Sequence, residues 1–255
     1  MQRPVPAHPC GAWPVISVAA RHFGQPDGLT NYICHWSRTR NYVYVETPKV
    51  ACTTVKRVLQ AAELGRADHP LMPADVHDRG ASPLLSPHDD PGAFLTALHD
   101  PSCFRFAFVR NPYARALSCW LDKFVGNEFE NARLAPLLGF ASGEVPDFAD
   151  FLRAVAAQPE AGRDPHWATQ SYLLRPDRIR YGFLGRFETF RTDFLRVCGH
   201  LGIGEHAGEL SDTWHATRAA GKVASRVGAL EGALIRQIYD ADFRTFGYGW
   251  DPALV

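Results

Sequence analysis

The 255-residue sequence has no GxxxxGKS or GxxxxGKT motif, no CxxC pair, no internal repeat, no low-complexity tract and no net charge. Each absence removes a class of function. Without the glycine-rich loop and its metal-binding hydroxyl, the triphosphate grip of a magnesium-dependent nucleotide triphosphatase is missing. The 27 basic residues are cancelled by 27 acidic ones, which argues against broad binding to nucleic acid or to an anionic membrane surface. An anionic ligand must therefore be held by a local cluster. The six cysteines (Cys10, Cys34, Cys52, Cys103, Cys119, Cys198) are widely spaced. A chain of this length needs no disulfide framework, so mostly reduced, buried thiols are expected. No apolar run approaches the roughly 18 residues of a spanning helix. The segment WPVISVAA lies among Pro4, Pro6, Pro9 and Pro14 with only Arg3 as a leading charge, so it does not read as a signal peptide. A cytoplasmic protein without membrane insertion is expected. No clustered His, Cys or Asp set has metal-ligand spacing, so no metal is expected either.

What is present reads as one α/β domain over residues 1–255, with an irregular proline-rich arm, or a short first element, at 1–40 and a core at 41–250. NYVYVE (Asn41–Glu46) alternates with β-formers, and CFRFAFVR (Cys103–Arg110) is the apolar run of a strand covered on both faces. RYGFLGRF (Arg180–Phe187) is a third strand. Helices are predicted over Thr53–Leu64, from Pro112 with Asn111 as N-cap, over Asp147–Ala157, over Thr189–Leu201, and from about Arg226 to Phe243. Residues 66–102 and 126–146 read as long loops. Strands alternating with helices imply a parallel sheet flanked by helices, with ligands at the carboxyl ends of the strands.

Two turns fall at such ends. PKVACTT leads from a strand into a helix, where unpaired N–H groups and the helix dipole favour an anion. Lys49 adds a positive charge, Thr53 and Thr54 add hydroxyl donors, and the small Ala51 and Cys52 let the backbone approach a ligand. The plain alternative makes Thr53 an N-cap and Lys49 a solvated residue. At the second turn, Arg110 ends a buried strand and Ser118 lies on the next helix, so the two can grip one phosphate from two sides. Here the plain alternative is an arginine paired with a structural carboxylate.

PKVACTTVK followed by FAFVRNPYARALSCWLDKF resembles the two nucleotide-binding motifs of the carbohydrate sulfotransferase family. That family includes the Golgi chondroitin and dermatan 4-O-sulfotransferases and many bacterial members. DPHWATQSYLL, YGFLGRFETF and YDADFRTFGY extend the resemblance, in order, from about Tyr42 to Tyr248. The resemblance implies a three-layer P-loop-like fold and 3′-phosphoadenosine-5′-phosphosulfate (PAPS) as co-substrate. It implies that Lys49, Thr53, Thr54 and the backbone of Val50, Ala51 and Cys52 hold the 5′-phosphosulfate, and that Arg110 and Ser118 hold the 3′-phosphate. A sulfuryl donor needs no chelated magnesium, which accounts for the missing glycines. The acceptor is expected to be a hydroxyl on a carbohydrate or other small molecule, attacked in line at sulfur. A catalytically silent PAPS-binding module, or a P-loop kinase-like enzyme, are the competing readings.

A histidine base is expected for the acceptor proton. Three compete: His77 in ADVHDR, His166 in DPHW, and His88 in SPHDDPG. His77 lies between the two motifs, His166 could face the acceptor, and His88 has a family-like separation from Arg110 but abuts a helix start. Lys56, Arg57 and Arg115 either supplement the phosphate grip or form a solvated helix face. Trp120, Trp167 and Trp214 read as core, with Trp167 also a candidate acceptor platform.

Overall fold

The computed structural model describes residues 18–66, 75–207 and 219–252; Cys10, the WPVISVAA start and Trp214 lie outside them. Its centre is a four-stranded sheet, β1 (Cys34–Ser37), β2 (Tyr42–Val45), β3 (Phe104–Val109) and β4 (Phe183–Arg186), in that spatial order. The β2–β3 and β3–β4 pairs are parallel, with Val45 opposite Ala107 and Val109 opposite Arg186. Strand alternation sorts the core into two. Tyr42, Tyr44, Phe106 and Phe108 point to one face, where α3 (Cys52–Glu63) and α9 (Phe190–His200) cover them with Val55, Leu59, Phe194 and Val197. Val43, Val45, Ala107 and Val109 point to the other, under α1 (Val18–Phe23), α4 (Pro91–His99) and α5 (Pro112–Trp120). Helices on both faces make the expected three layers, a mostly parallel α/β architecture. Gly185 in β4 is required by this packing, because a Cβ there would lie 2.3 Å from the Phe108 ring.

Two boundaries differ from expectation. The 1–40 segment is not simply an irregular arm: α1, α2 (Asp27–Ile33) and the antiparallel edge strand β1 occupy its described part. Two of the four residues of β1 are polar, yet all four are buried. His35 and Ser37 are satisfied inside by Glu46 and Glu63, which hides the strand from a hydrophobic-pattern reading. The final predicted helix is also broken. A short α10 (Val223–Arg226) precedes α11 (Ala229–Ile238), and a kink at Tyr239 separates it from α12 (Asp240–Phe246). The kink lets the Tyr239 hydroxyl donate to the Trp167 carbonyl at 3.0 Å and turns Asp242 inward. There the buried Asp242 carboxylate accepts from the N–H groups of Gln170 (2.9 Å) and Ser171 (2.7 Å) at the start of α8 (Gln170–Leu174).

Elsewhere the local rules hold. Asn111 caps α5 by accepting from Tyr113 N–H at 2.9 Å, with Pro112 next, and Asp147 caps α7 (Phe148–Ala157) by accepting from Asp150 N–H at 2.7 Å. The two expected loops contain α4 and α6 (Glu128–Leu134). Among the described residues the cysteines are free thiols, and no helix is long and apolar enough to cross a membrane.

Candidate active site

The carboxyl ends of β2, β3 and β4 converge on one place. After β2, the chain runs through a turn in which Lys49 (φ 70°) and Ala51 (φ 55°) both adopt left-handed backbone. For residues with a Cβ each such conformation costs on the order of 1 kcal/mol, and it persists only where the surroundings impose it. Val50, fully buried in the α3 face of the core, is the anchor. A left-handed Ala51 leading directly into the right-handed first turn of α3 is an arrangement that suits an anion. Ala51 is the N-cap of α3 and offers no side-chain cap, so Thr53 is not the cap that the plain reading made it. The first intrahelical bond, Val55 N–H to Ala51, leaves the N–H groups of Cys52, Thr53 and Thr54 without helical partners. The Cys52 thiol is pushed up to about 11 by burial and the neighbouring Glu46, so it is an inert small side chain.

Arg110 stands across from this turn. It is 4% exposed; its Nη1 donates to the Lys49 carbonyl at 3.0 Å and its guanidinium lies 4.0 Å over the Phe187 ring. Its Nε has no hydrogen-bond partner among the described residues, and burial pulls the group down to about 10, opposed mainly by Glu188. Glu188 itself is occupied, accepting from the Asn111 N–H (2.7 Å) and the Tyr248 hydroxyl (3.1 Å). Arg110 is therefore not paired with a structural carboxylate. Gln170 fixes its backbone at both ends, accepting from the Arg110 N–H and donating to its carbonyl, each at 2.8 Å. Ser118 is buried on α5, beyond the same turn.

Arg115 is neither solvated nor a ligand grip. It is fully buried and donates to the carbonyls of Pro48 (3.1 Å), Ala168 (2.7 Å) and Pro165 (3.0 Å). It thus staples the cradle to the segment that carries His166. On that segment Trp167 is fully buried, with its indole N–H donating to Gln158, so it is core and no acceptor platform. Trp120 is likewise buried and donates to the Pro146 carbonyl.

Of the three candidate bases, two lie at the cradle. His166 Nδ1 is 2.6 Å from Asp164 Oδ1, and no described residue is hydrogen-bonded to its Nε2. Burial holds His166 below its usual range, Asp164 opposes this, and the charges of Lys123 and Lys49 add to the lowering. His77 lies 2.9 Å from Thr53 Oγ1 and 2.7 Å from Lys56 Nζ, and is held at about 4 by burial and then by Lys56. His88 is elsewhere, bound to Asp27 at 2.7 Å beside α2. Lys49 reaches Asp122 at 2.7 Å. Asp122 and Lys123 lie on a π-helical turn, Leu121–Val125, that continues α5, and Lys123 sits 3.5 Å from both Asp122 and Glu130. Such turns recur at functional sites because they re-aim side chains within a helix. Among the described residues there is no cluster of three or more His, Cys, Asp or Glu able to hold a metal.

Sequence reasoning missed Glu46, Asp122 and Asp164, and left Lys56 between a phosphate grip and a solvated helix face, neither of which is its place in the core. One signal was available: Lys56 lies between Val55 and Val58 on the buried stripe of α3.

This assembly of an uncapped, left-handed strand-to-helix turn facing a buried arginine has a counterpart in sequence. The model of the Sulfotransferase family matches residues 35–249. The chain belongs to this family. The match starts within β1 and takes in both turns and the His166 segment. Among curated sulfotransferases, the chain is 25% identical to zebrafish (Danio rerio) carbohydrate sulfotransferase 11 over 229 residues, covering 81% of this chain and 64% of that protein. It is 28% identical to mouse (Mus musculus) carbohydrate sulfotransferase 8 over 233 residues, covering 81% and 54%. Against human (Homo sapiens) carbohydrate sulfotransferase 14 the figures are 25% over 245 residues, 88% and 62%. The chain thus spans between about half and two thirds of the length of these relatives. No solved structure matches it significantly.

Proposed function

We propose that this sulfotransferase-family chain transfers a sulfuryl group from PAPS to a hydroxyl of a carbohydrate or carbohydrate-like acceptor. The observation that carries this reading is Arg110: a buried guanidinium with an unpartnered Nε, facing a strained turn whose N–H groups open the uncapped end of α3. A buried guanidinium with an N–H left open is suited to donate a charge-assisted hydrogen bond to an anion. Arg110 and Ser118 take the 3′-phosphate, while Lys49, Thr53, Thr54 and the backbone from Val50 to Cys52 take the 5′-phosphosulfate. The names of the carbohydrate sulfotransferase relatives supply the acceptor class.

In the transfer, the acceptor oxygen forms a bond to sulfur as the bond from sulfur to the bridging oxygen breaks. The electron pair leaves with the nucleotide bisphosphate, and Lys49 meets the charge that builds on the bridging oxygen. To do so it exchanges the Asp122 carboxylate for the donor. The acceptor proton passes to His166. Asp164 accepts from Nδ1–H, which leaves the lone pair on Nε2 and fixes the ring. This is the tautomer a general base requires.

Calorimetry with 3′,5′-adenosine bisphosphate tests the reading. Binding that is unchanged by magnesium or by chelator is expected, whereas binding of ATP·Mg in preference to the bisphosphate would refute it.

A further inference from the structure

Behind the cradle lies a buried polar chain that meets the proposed sulfuryl transfer only at its last member, Thr53. Arg79 Nη1 is 2.5 Å from His35 Nδ1, and His35 Nε2 is 2.8 Å from Glu46 Oε2. Lys56 Nζ is 2.8 Å from the same carboxylate oxygen and 2.7 Å from His77 Nδ1. His77 Nε2 then lies 2.9 Å from Thr53 Oγ1. His35, Glu46 and Lys56 are all at most 1% exposed.

The direction of every bond follows from which ends can only donate. Arginine and the lysine ammonium have no lone pair to offer. Lys56 therefore donates both to Glu46 and to His77 Nδ1. A neutral imidazole that accepts at Nδ1 carries its proton on Nε2, so His77 donates to Thr53. With its oxygen accepting from His77, Thr53 must direct its own hydroxyl hydrogen elsewhere. Thr53 sits in the first, uncapped turn of α3, where the cradle opens.

We propose that Lys56 and His77 are positioning residues that lock Thr53 as a hydrogen-bond donor to the anion in the cradle, and that His77 is consequently not the acceptor's base. Glu46 is the counter-charge to Lys56 within the core, 2.8 Å away. The groups facing His77 are Lys56, Glu46, His166 and Lys123. The two lysine cations among these, with the neutral His166 and the carboxylate, leave the ring neutral and oriented. The role of Thr53 rests on PAPS being the donor; the orientation of His77 does not.

The test uses the full chain in two readouts. Long-range ¹H–¹⁵N NMR of ligand-free protein should show His77 as the Nε2–H tautomer at neutral pH, with no titration down to about pH 5. Lys56→Met should mix the tautomers; because that change removes the cation beside the buried Glu46 carboxylate, His77→Gln serves as the second variant. A glutamine amide can still donate to Thr53 but cannot take a proton. His77→Gln should weaken 3′,5′-adenosine bisphosphate binding by no more than about tenfold and lower kcat by less than about tenfold. His77→Leu should weaken binding further, by about as much as Thr53→Val, and the His77→Leu/Thr53→Val pair should cost no more than either alone. An Nδ1–H tautomer would overturn the proposal with or without ligand. So would a loss of 100-fold or more in kcat for His77→Gln at unchanged bisphosphate affinity, the mark of a base. Failure of the unaltered chain to bind the bisphosphate would overturn PAPS as donor and the role of Thr53 with it, while the tautomer would still decide the orientation of His77 by itself.

Discussion

Replacing Arg110 by methionine should separate stability from binding. A guanidinium held at about 10 instead of 12.5 is disfavoured as a cation by about 3 kcal/mol in the folded, ligand-free protein. Against this stand the charged hydrogen bond to the Lys49 carbonyl, about 1.5–3 kcal/mol, and the stack on Phe187, about 0.5–2 kcal/mol. These terms nearly cancel, and methionine fills much of the same volume. The Arg110→Met protein should therefore unfold within about 3 °C of the parent, since about 1 kcal/mol corresponds to 2–4 °C in a domain of this size. Bisphosphate affinity should behave differently. Losing a buried, charge-assisted phosphate contact costs about 2–3 kcal/mol, which is about 30- to 150-fold in Kd. Thermal unfolding without ligand and titration calorimetry with 3′,5′-adenosine bisphosphate measure the two quantities. Affinity within threefold of the parent, or a melting temperature lowered by 8 °C or more with binding retained, would refute the assignment of Arg110 as an anion site.

Other changes have distinct signatures. Asp164→Asn should lower kcat by about 100-fold, because an amide no longer fixes the His166 tautomer, while bisphosphate affinity stays within about twofold; His166→Asn should lower it at least as much. Acid should destabilise the fold before the carboxylates titrate. His35 is held at about 3 and His77 at about 4, both chiefly by burial. The unfolded chain binds their protons below about pH 6.5 and the folded chain does not, so stability falls with falling pH through this window and is unaffected by these groups above it. Urea denaturation at pH 7.5 and pH 5 should differ by about 2 kcal/mol for each of the two histidines, and a stability that rises toward pH 5 would contradict their neutral burial. Gly185→Ala should destabilise by about 1–3 kcal/mol in the same assay, since the Phe108 ring is packed from several sides and cannot yield freely.

The sheet and the two turns were legible because their sequences obey local rules. YVYV alternates, FRFAFV is apolar, and Asn111-Pro112 is a cap followed by a first-turn proline. β1 was not legible because His35 and Ser37 are polar, and only the distant Glu46 and Glu63 make their burial tolerable. The α11–α12 kink was hidden for a similar reason. Val227, Leu230, Leu234 and Ile238 continue a single helical stripe, and the break answers to Trp167 and α8, some seventy residues away. At the site, motif spacing pointed to Lys49, Thr53, Arg110 and Ser118, whereas residues that act through a partner carry no such signal. Lys56 looks like a solvated helix lysine until Glu46 and His77 are seen beside it. Likewise Arg115 looks like an anion grip until its three carbonyl partners are known. The choice among histidines needed the same information, because both ring nitrogens of His77 are engaged by described residues whereas His166 is held through Nδ1.

The central claim is sulfuryl transfer itself. Radiolabelled PAPS, incubated with a panel of hydroxylated saccharides in the presence of chelator, should yield sulfated saccharide and 3′,5′-adenosine bisphosphate in equal amounts, and Lys49→Ala should reduce the rate at least 100-fold. Full activity in Lys49→Ala, or ATP·Mg turnover with no bisphosphate release from PAPS on any saccharide, would contradict the account.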